Sequence, residues 1–316
     1  MKSYISSFVL LTVVAVPVAA QEPQCQNVNA QAQAACNTMV DATKAFHPLA
    51  GMIVSGGNPV LGTAVTLGGF GHVSATVRVN AIKASLPNPD SAAQSPVPSS
   101  FNGYFPAPVF EAAVGLYGGQ GGGLLSIDGL ASAVLLPASR VRGMSVDPGA
   151  PKVGDVALGI GYGARIGLLK GSFPIPSVSV SVMKRHVPRV QFGKVTGLPG
   201  GDPADFSTDF DATNWRAVAG TRVLFADVAA GLGIDHYKSA ATIHYFDGVT
   251  VHPVTLALAN TREVLFADAG LTMGPVKFVA ELGYQTGTDQ SFATTFSDFD
   301  PKAGHVFWGT GLRINF

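Results

Sequence analysis

The sequence predicts an all-β protein: an antiparallel transmembrane β-barrel of ten to twelve strands with a short N-terminal helical segment. Three observations predict it. Apolar residues recur at every second position over many separate stretches, the period of strands held between two unlike environments. Only 13% of the 316 residues are charged, about half the usual share, and 38 are glycine. Beyond the leader, no apolar run approaches the ~18 residues of a membrane-crossing helix. A barrel reconciles these facts, because its lipid-facing residues alternate with lumen-facing ones and never form a continuous run.

The leader comes first in the chain. Lys2 precedes an apolar run over residues 8–16, and Val18-Ala19-Ala20 supplies small residues at a cleavage point. Residues 1–20 read as a secretory signal peptide, too short to span a membrane. Cys25 follows Glu22-Pro23-Gln24, which is no lipid-attachment motif. Lys and Arg total 20 against 20 Asp and Glu. That balance excludes nucleic acid as a partner and a strongly electrostatic mode of membrane-surface binding.

Residues 21–71 form the N-terminal segment. Val28, Ala32, Cys36, Met39, Val40 and Phe46 give residues 24–46 a modest amphipathic helical pattern. The segment is expected in the periplasm or as a partial plug in the barrel mouth. An oxidising compartment favours a Cys25–Cys36 disulfide. One straight helix would hold those Cα atoms ~16 Å apart, beyond the ~7 Å limit for a bridge. The chain is therefore expected to bend between them.

The barrel is assigned to residues 72–316. Val73, Ala75, Val77, Val79 and Ala81 alternate with Ser74, Thr76, Arg78 and Asn80. Residues 110–118 set Ala112, Val114 and Leu116 against Glu111 and Gly115. Residues 124–136 are apolar on both faces. The clearest strand, residues 156–168, alternates Val156, Leu158, Ile160, Tyr162, Ala164 and Ile166 with glycines and Arg165. Val178, Val180 and Val182 oppose serines. Trp215 to Val223 opposes Arg216 and Arg222. Val228, Ala230, Leu232 and Ile234 oppose Asp227 and Asp235. A mixed strand over 262–273 follows. Val276, Phe278, Ala280 and Leu282 oppose Lys277 and Glu281. These and the last strand make ten, and a hairpin from residues 52–56 and 60–67 would make twelve. Connections at 119–123, 170–176, 224–226 and 274–275 are short. Those at 87–107, 137–152, 193–208, 247–259 and 287–302 are long, and the two kinds alternate as periplasmic turns and extracellular loops do.

In the last strand Val306, Trp308, Thr310, Leu312, Ile314 and Phe316 share one face, with Arg313 and Asn315 on the other. Trp308 and Phe316 lie about 26 Å apart along a strand, roughly 20 Å of height once tilted, near the spacing of two aromatic girdles. A strand closing on Phe316 resembles the final strand of Gram-negative outer-membrane β-barrels. That resemblance implies residence in the outer membrane, contact with its lipid, and recognition of Phe316 by the barrel-insertion machinery. Asn58-Pro59, after a helical, plug-like segment, resembles the entry of the long-chain fatty-acid channel family. That family has fourteen strands, more than can be found here. The resemblance implies a lumen that takes hydrophobic small molecules.

By alternation the lumen receives Arg78, Glu111, Asp128, Arg165, Arg216, Arg222, Asp227, Asp235, Lys277, Glu281 and Arg313. In a narrow lumen such charges must pair or meet water. Glu281 and Arg313, on neighbouring strands, are expected to pair. Arg165, alone among inward glycines, is the candidate anchor for a ligand carboxylate or phosphate, unless it reaches Asp128 or Asp227. Arg78, Arg216, Glu281 and Arg313 complete the candidate lumen site. The inward glycines Gly159, Gly161, Gly163, Gly231, Gly233 and Gly283 either leave room for a ligand or permit curvature.

No catalytic, metal or cofactor pattern emerges. Gly159-Ile160-Gly161-Tyr162-Gly163 lacks nucleotide-loop spacing and opens no helix. His236 and His244 share a face but lie about 26 Å apart. Asp235 and His236 point to opposite faces. The functional expectation is a channel or binding barrel for small hydrophobic molecules. The alternative is a structural or adhesive barrel with a filled lumen and exposed loops.

Overall fold

Period-two alternation sustained over ten strands produces a sheet that closes on itself. In the computed structural model the residues described are 22–26, 28–87, 97–120, 124–136, 144–146, 152–153, 156–171, 173–196, 204–287, 290–300 and 302–316. The proposed signal peptide, residues 1–20, lies outside them. The strands are β1 (Val73–Pro87), β2 (Ser99–Tyr117), β3 (Ser126–Leu136), β4 (Met144–Val146), β5 (Lys152–Val153), β6 (Val156–Leu169), β7 (Ser177–Phe192), β8 (Ala204–Val223), β9 (Ala226–Phe246), β10 (Val251–Met273), β11 (Val276–Gln285) and β12 (His305–Asn315).

The wall runs β7-β8-β9-β10-β11-β12-β1-β2-β3-β6, and a β6–β7 pairing closes it, every pair antiparallel. The short β4 and β5 extend the wall beside β7 and β6. Phe316 and Val73 exchange both backbone hydrogen bonds, at 2.8 and 3.1 Å, where the last strand meets the first. The ten long strands among the described residues set the count. The expected extra hairpin is absent, because residues 52–55 belong to a helix and residues 60–67 form no strand.

Turns at 224–225 and 274–275 match expectation, but the far ends of the strands do not. Residues 247–259 were expected as a long loop, yet β9 runs to Phe246 and β10 resumes at Val251. Similarly β2 starts at Ser99 and β8 at Ala204, inside the expected loops. In those ends the apolar residues change faces, which a fixed lipid-out pattern reads as loss of the strand. There Ile243, Tyr245, Val254 and Leu256 are buried inside, while Thr255 and Thr261 are exposed outside.

Lower on the strands Val228, Leu232, Ile234, Leu265, Phe278, Leu282 and Leu312 form an exposed apolar belt. Exposed aromatics border it. Tyr162, Trp215, Tyr284 and Trp308 lie towards the loops, and Tyr117, Phe173, Phe225 and Phe316 towards the turns.

The single α-helix described, α1 (Ala30–Ser55), has 26 residues and so is about 39 Å long. It lies inside the barrel. The sequence pattern placed it at 24–46, too early at both ends. Asn29 caps it, its side chain accepting from the Ala32 N–H at 2.9 Å. It continues through Pro48, despite the lost hydrogen bond, because Leu49, Met52 and Val54 all bury against the wall.

Candidate functional site: a charged lumen occupied by the N-terminal segment

The occupant enters from the loop side. Residues 23–25 form a 3-10 turn, and this bend lets Cys25 and Cys36 pair in a disulfide with Cα atoms 5.9 Å apart. Cys25, Cys36, Met39 and Val40 pack on Ala241, Ile243, Tyr245, Val254 and Leu256 of the upper wall. At the mouth Lys44 donates to Glu22 at 2.5 Å, and the N–H and hydroxyl of Thr294 both donate to Asp41 at 2.8 Å. Asp41 is fully buried, and burial, reinforced by the neighbouring Glu22 carboxylate, pushes its pKa up to about 8.

Further down, His47 packs on Phe210 and Tyr237, with ring centroids 5.3 and 6.4 Å apart. Gly51 lets the helix approach the wall closely, since a Cβ there would sit 2.7 Å from both Phe210 and Tyr237. The helix ends at Gly56, whose φ of +58° suits glycine. An irregular run, residues 56–72, then descends to the turn side, where β1 begins.

The lower wall is charged, and each of the following groups has a partner in this run or in the wall, while Arg78 Nε, Glu111 Oε2, Arg165 Nη1 and Arg185 Nε are buried without a hydrogen bond. Arg78 donates to Glu111 at 2.8 Å and lies 3.6 Å from Glu281. Arg216 donates to Asp235 at 2.5 Å and to the carbonyls of Gly56 and Gly57 at 2.7 and 2.8 Å. Asp235 also accepts from Asn214 and Tyr237, both at 2.7 Å. Lys277 pairs with Asp227. Buried charges are tolerated only when paired and hydrogen-bonded in this way.

Each sequence-derived site residue has a definite place. Arg165 faces inward and is held by Asp128, through Nε at 3.0 Å and Nη2 at 2.6 Å. Asp128 also accepts from the Leu67 N–H at 3.1 Å. Glu281 and Arg313 both face inward but do not pair. The β11–β12 register sets Glu281 opposite Gly309 and Arg313 opposite Lys277. Arg313 instead donates to the Leu61 carbonyl at 2.8 Å. Arg222, expected in the lumen, sits at the turn-side rim with its side chain 66% exposed, still paired with Asp227.

Sequence reasoning missed Arg185, Arg262 and Asp268, all buried. Arg185 continues the inward row Ser177, Ser179, Ser181, Met183, and carrying the alternation past Val182 finds it. Asp268 and Arg262 fall on the inward row of β10 with Val264, Phe266 and Gly270. The inward glycines face neighbouring side chains: Gly161 faces Ser132 and Arg185, Gly231 faces Phe266, and Gly283 faces Phe307. Between Gly57, Pro59, Met183, Arg185 and Arg216 the gap is too narrow to admit water. At the mouth a cavity of about 330 Å³ opens between Glu22, Pro23, Lys44 and Phe292.

A closed, ten-strand antiparallel barrel with an apolar outer belt and a polar lumen defines an outer-membrane β-barrel protein, and this chain resides in the outer membrane. No helix among the described residues is long and apolar enough to cross a membrane. No family model and no curated protein sequence matches the chain. Among solved structures it is similar to the outer membrane protease OmpT from Escherichia coli, at 11% identity and a TM-score of 0.42, covering 78% of this chain and 97% of that one. It is also similar to the translocator domain of the autotransporter NalP from Neisseria meningitidis, at 11% identity and a TM-score of 0.44, covering 87% and 98%. A third is Ail, the attachment invasion locus protein of Yersinia pestis, at 11% identity and a TM-score of 0.29, covering 77% and 99%.

Proposed function

We propose that this protein is a closed outer-membrane barrel that works through its loop-side surface, in a structural or adhesive role. The observation that supports this reading is the filled lumen, where α1 packs on the apolar upper wall and residues 56–67 hydrogen-bond to the charged groups of the lower wall. Passage of small hydrophobic molecules would require that segment to move. Arg165, the candidate ligand anchor, already has its carboxylate in Asp128. Export by residues 1–20 and formation of the Cys25–Cys36 disulfide on arrival in the periplasm belong to the same reading.

Planar-bilayer recording of the detergent-purified full chain tests closure. The expected result is a silent bilayer and no lipid retained in the barrel. Steady open-channel currents, or a stoichiometric bound lipid, would count for transport instead. Assembly follows from the same architecture. Deleting Phe316 removes the last backbone pair with Val73 and the proposed signal to the insertion machinery, so the membrane level should drop severalfold. Unchanged levels would remove Phe316 from that role.

A further inference from the structure

The lower lumen wall binds main chain rather than side chain. Along residues 56–67 the carbonyls of Gly56 and Gly57 accept from Arg216, that of Asn58 from Arg78 at 3.3 Å, and that of Leu61 from Arg313. The N–H groups of Gly57 and Asn58 donate to Glu281 at 3.0 and 2.6 Å, and that of Gly62 to Asp268 at 2.8 Å. The Leu67 N–H donates to Asp128. Arginines meet carbonyls and carboxylates meet N–H groups, six charged residues serving one irregular stretch. Side-chain hydrogen bonds from this stretch to the wall are few: Asn58 to Asp268, and Thr66 with Ser126. Groups that every peptide unit carries are the ones recognised.

The direction of the chain gives this a consequence. Residue 72 lies at the turn side, where β1 begins, and the 3-10 turn at Pro23–Cys25 lies at the loop side against the upper wall. Short turns face the periplasm and long loops the exterior. The described residues that precede α1, 22–26 and 28–29, therefore lie across the membrane from residue 72, joined to it by chain that runs inside the barrel. A chain crossing extended needs a partner for each backbone group it removes from water.

We propose that the lumen is a conduit for extended polypeptide, with the chain's own N-terminal segment as its occupant, and that residues preceding α1 are displayed on the outer side of the membrane. This rests on the barrel's placement in the outer membrane and not on its being closed to solutes. The test uses the full chain in cells. A short epitope is inserted immediately before Glu22, alone or behind an unstructured extension. A parallel variant carries a small disulfide-stapled domain at the same place. An epitope in the turn at Leu224-Phe225 marks the inner side, and one at 247–250 the outer. Heat-modifiable migration confirms that each barrel has folded.

The expected result is antibody labelling of the N-terminal epitope on intact cells, equal to the 247–250 marker, with or without the extension. The Leu224-Phe225 marker should label only after permeabilisation. The stapled domain, too wide for a lumen that holds one helix, should fail to appear outside. An N-terminal epitope protected in intact cells with folded barrel overturns the proposal. Surface display of the stapled domain as efficiently as the unstructured extension also overturns it, because the conduit must pass extended chain. Open-channel currents would leave this topology untouched and remove only the closed-barrel reading.

Discussion

The same strands build two opposite kinds of barrel, one above the other. In the lower part of β9, Val228, Leu232 and Ile234 are exposed outside, while Asp227 and Asp235 are buried within. Higher up, His236 and Lys238 are exposed outside, while Tyr237, Ala241 and Ile243 are buried within. On β10 the change falls near Glu263 and Thr261. The outside pair of His186 with Asp211 (2.8 Å), both side chains exposed, marks the upper region as water-facing. Alternation persists along the strand. What changes is the medium on the outer side, lipid below and water above, so apolar residues turn from the outer face to the inner one. The plug follows the same rule: its upper half is apolar and disulfide-linked, and its lower run offers backbone groups to charged walls.

The sharpest way to break the comparison is at its lower interior. Glu281→Ala strands the Gly57 and Asn58 N–H groups and removes a carboxylate 3.6 Å from Arg78. Breaking a buried ionic network of this kind costs about 3–5 kcal/mol. Urea unfolding from detergent or liposomes should register that loss. A change under about 0.5 kcal/mol, the usual range for surface positions, would show that the lower charges are not structural.

The outer faces provide the second, smaller contrast. Leu232→Arg places a charge in the middle of the lipid belt and should cost about 2–4 kcal/mol. Thr255→Arg, equally outward but in the upper wall, should stay within about 0.5 kcal/mol. Equal costs at the two positions would erase the boundary drawn between them.

This two-zone organisation also explains what could be read in the sequence. The lower zone was legible. There each strand keeps one sign of alternation, so Arg78, Glu111, Arg165, Arg216, Asp235, Lys277, Glu281 and Arg313 were placed inward from sequence, and all are buried. The upper zone was not, because reversal of the apolar face looks like the end of a strand. That is how residues 251–259 became a loop and Arg185 fell beyond its strand. Pairing inside the lumen needs the β-register, which alternation does not supply. Glu281 and Arg313 share an interior but stand four residues out of register. The helix hid for a different reason. Its residues 38–41 are buried all round, polar ones included, because the barrel surrounds it, so it lacks the wide apolar stripe of a surface helix.

The remaining contrast lies at the mouth, where the plug meets the outer loop. Asp41 accepts two hydrogen bonds from Thr294, faces Glu22, and has Lys44 Nζ 4.0 Å away. With its folded-state pKa raised to about 8, the protonated form is the one the fold favours. The unfolded chain releases this proton near pH 4, whereas the folded protein holds it to about 8. The stabilisation is therefore complete below pH 4, declines as pH rises, and is gone above about pH 8. Asp41→Asn keeps a neutral acceptor for Thr294 and cannot titrate. Melting temperatures of the two proteins, taken at intervals from pH 4 to 9, should diverge steadily, the wild type losing stability relative to the variant. Glu22 and Lys44 are present in both, so their contribution cancels to first order. Parallel curves across that range would show that Asp41 is ionised in the folded state, held by Lys44 and Thr294, and that burial at the mouth is shallower than the structure draws it.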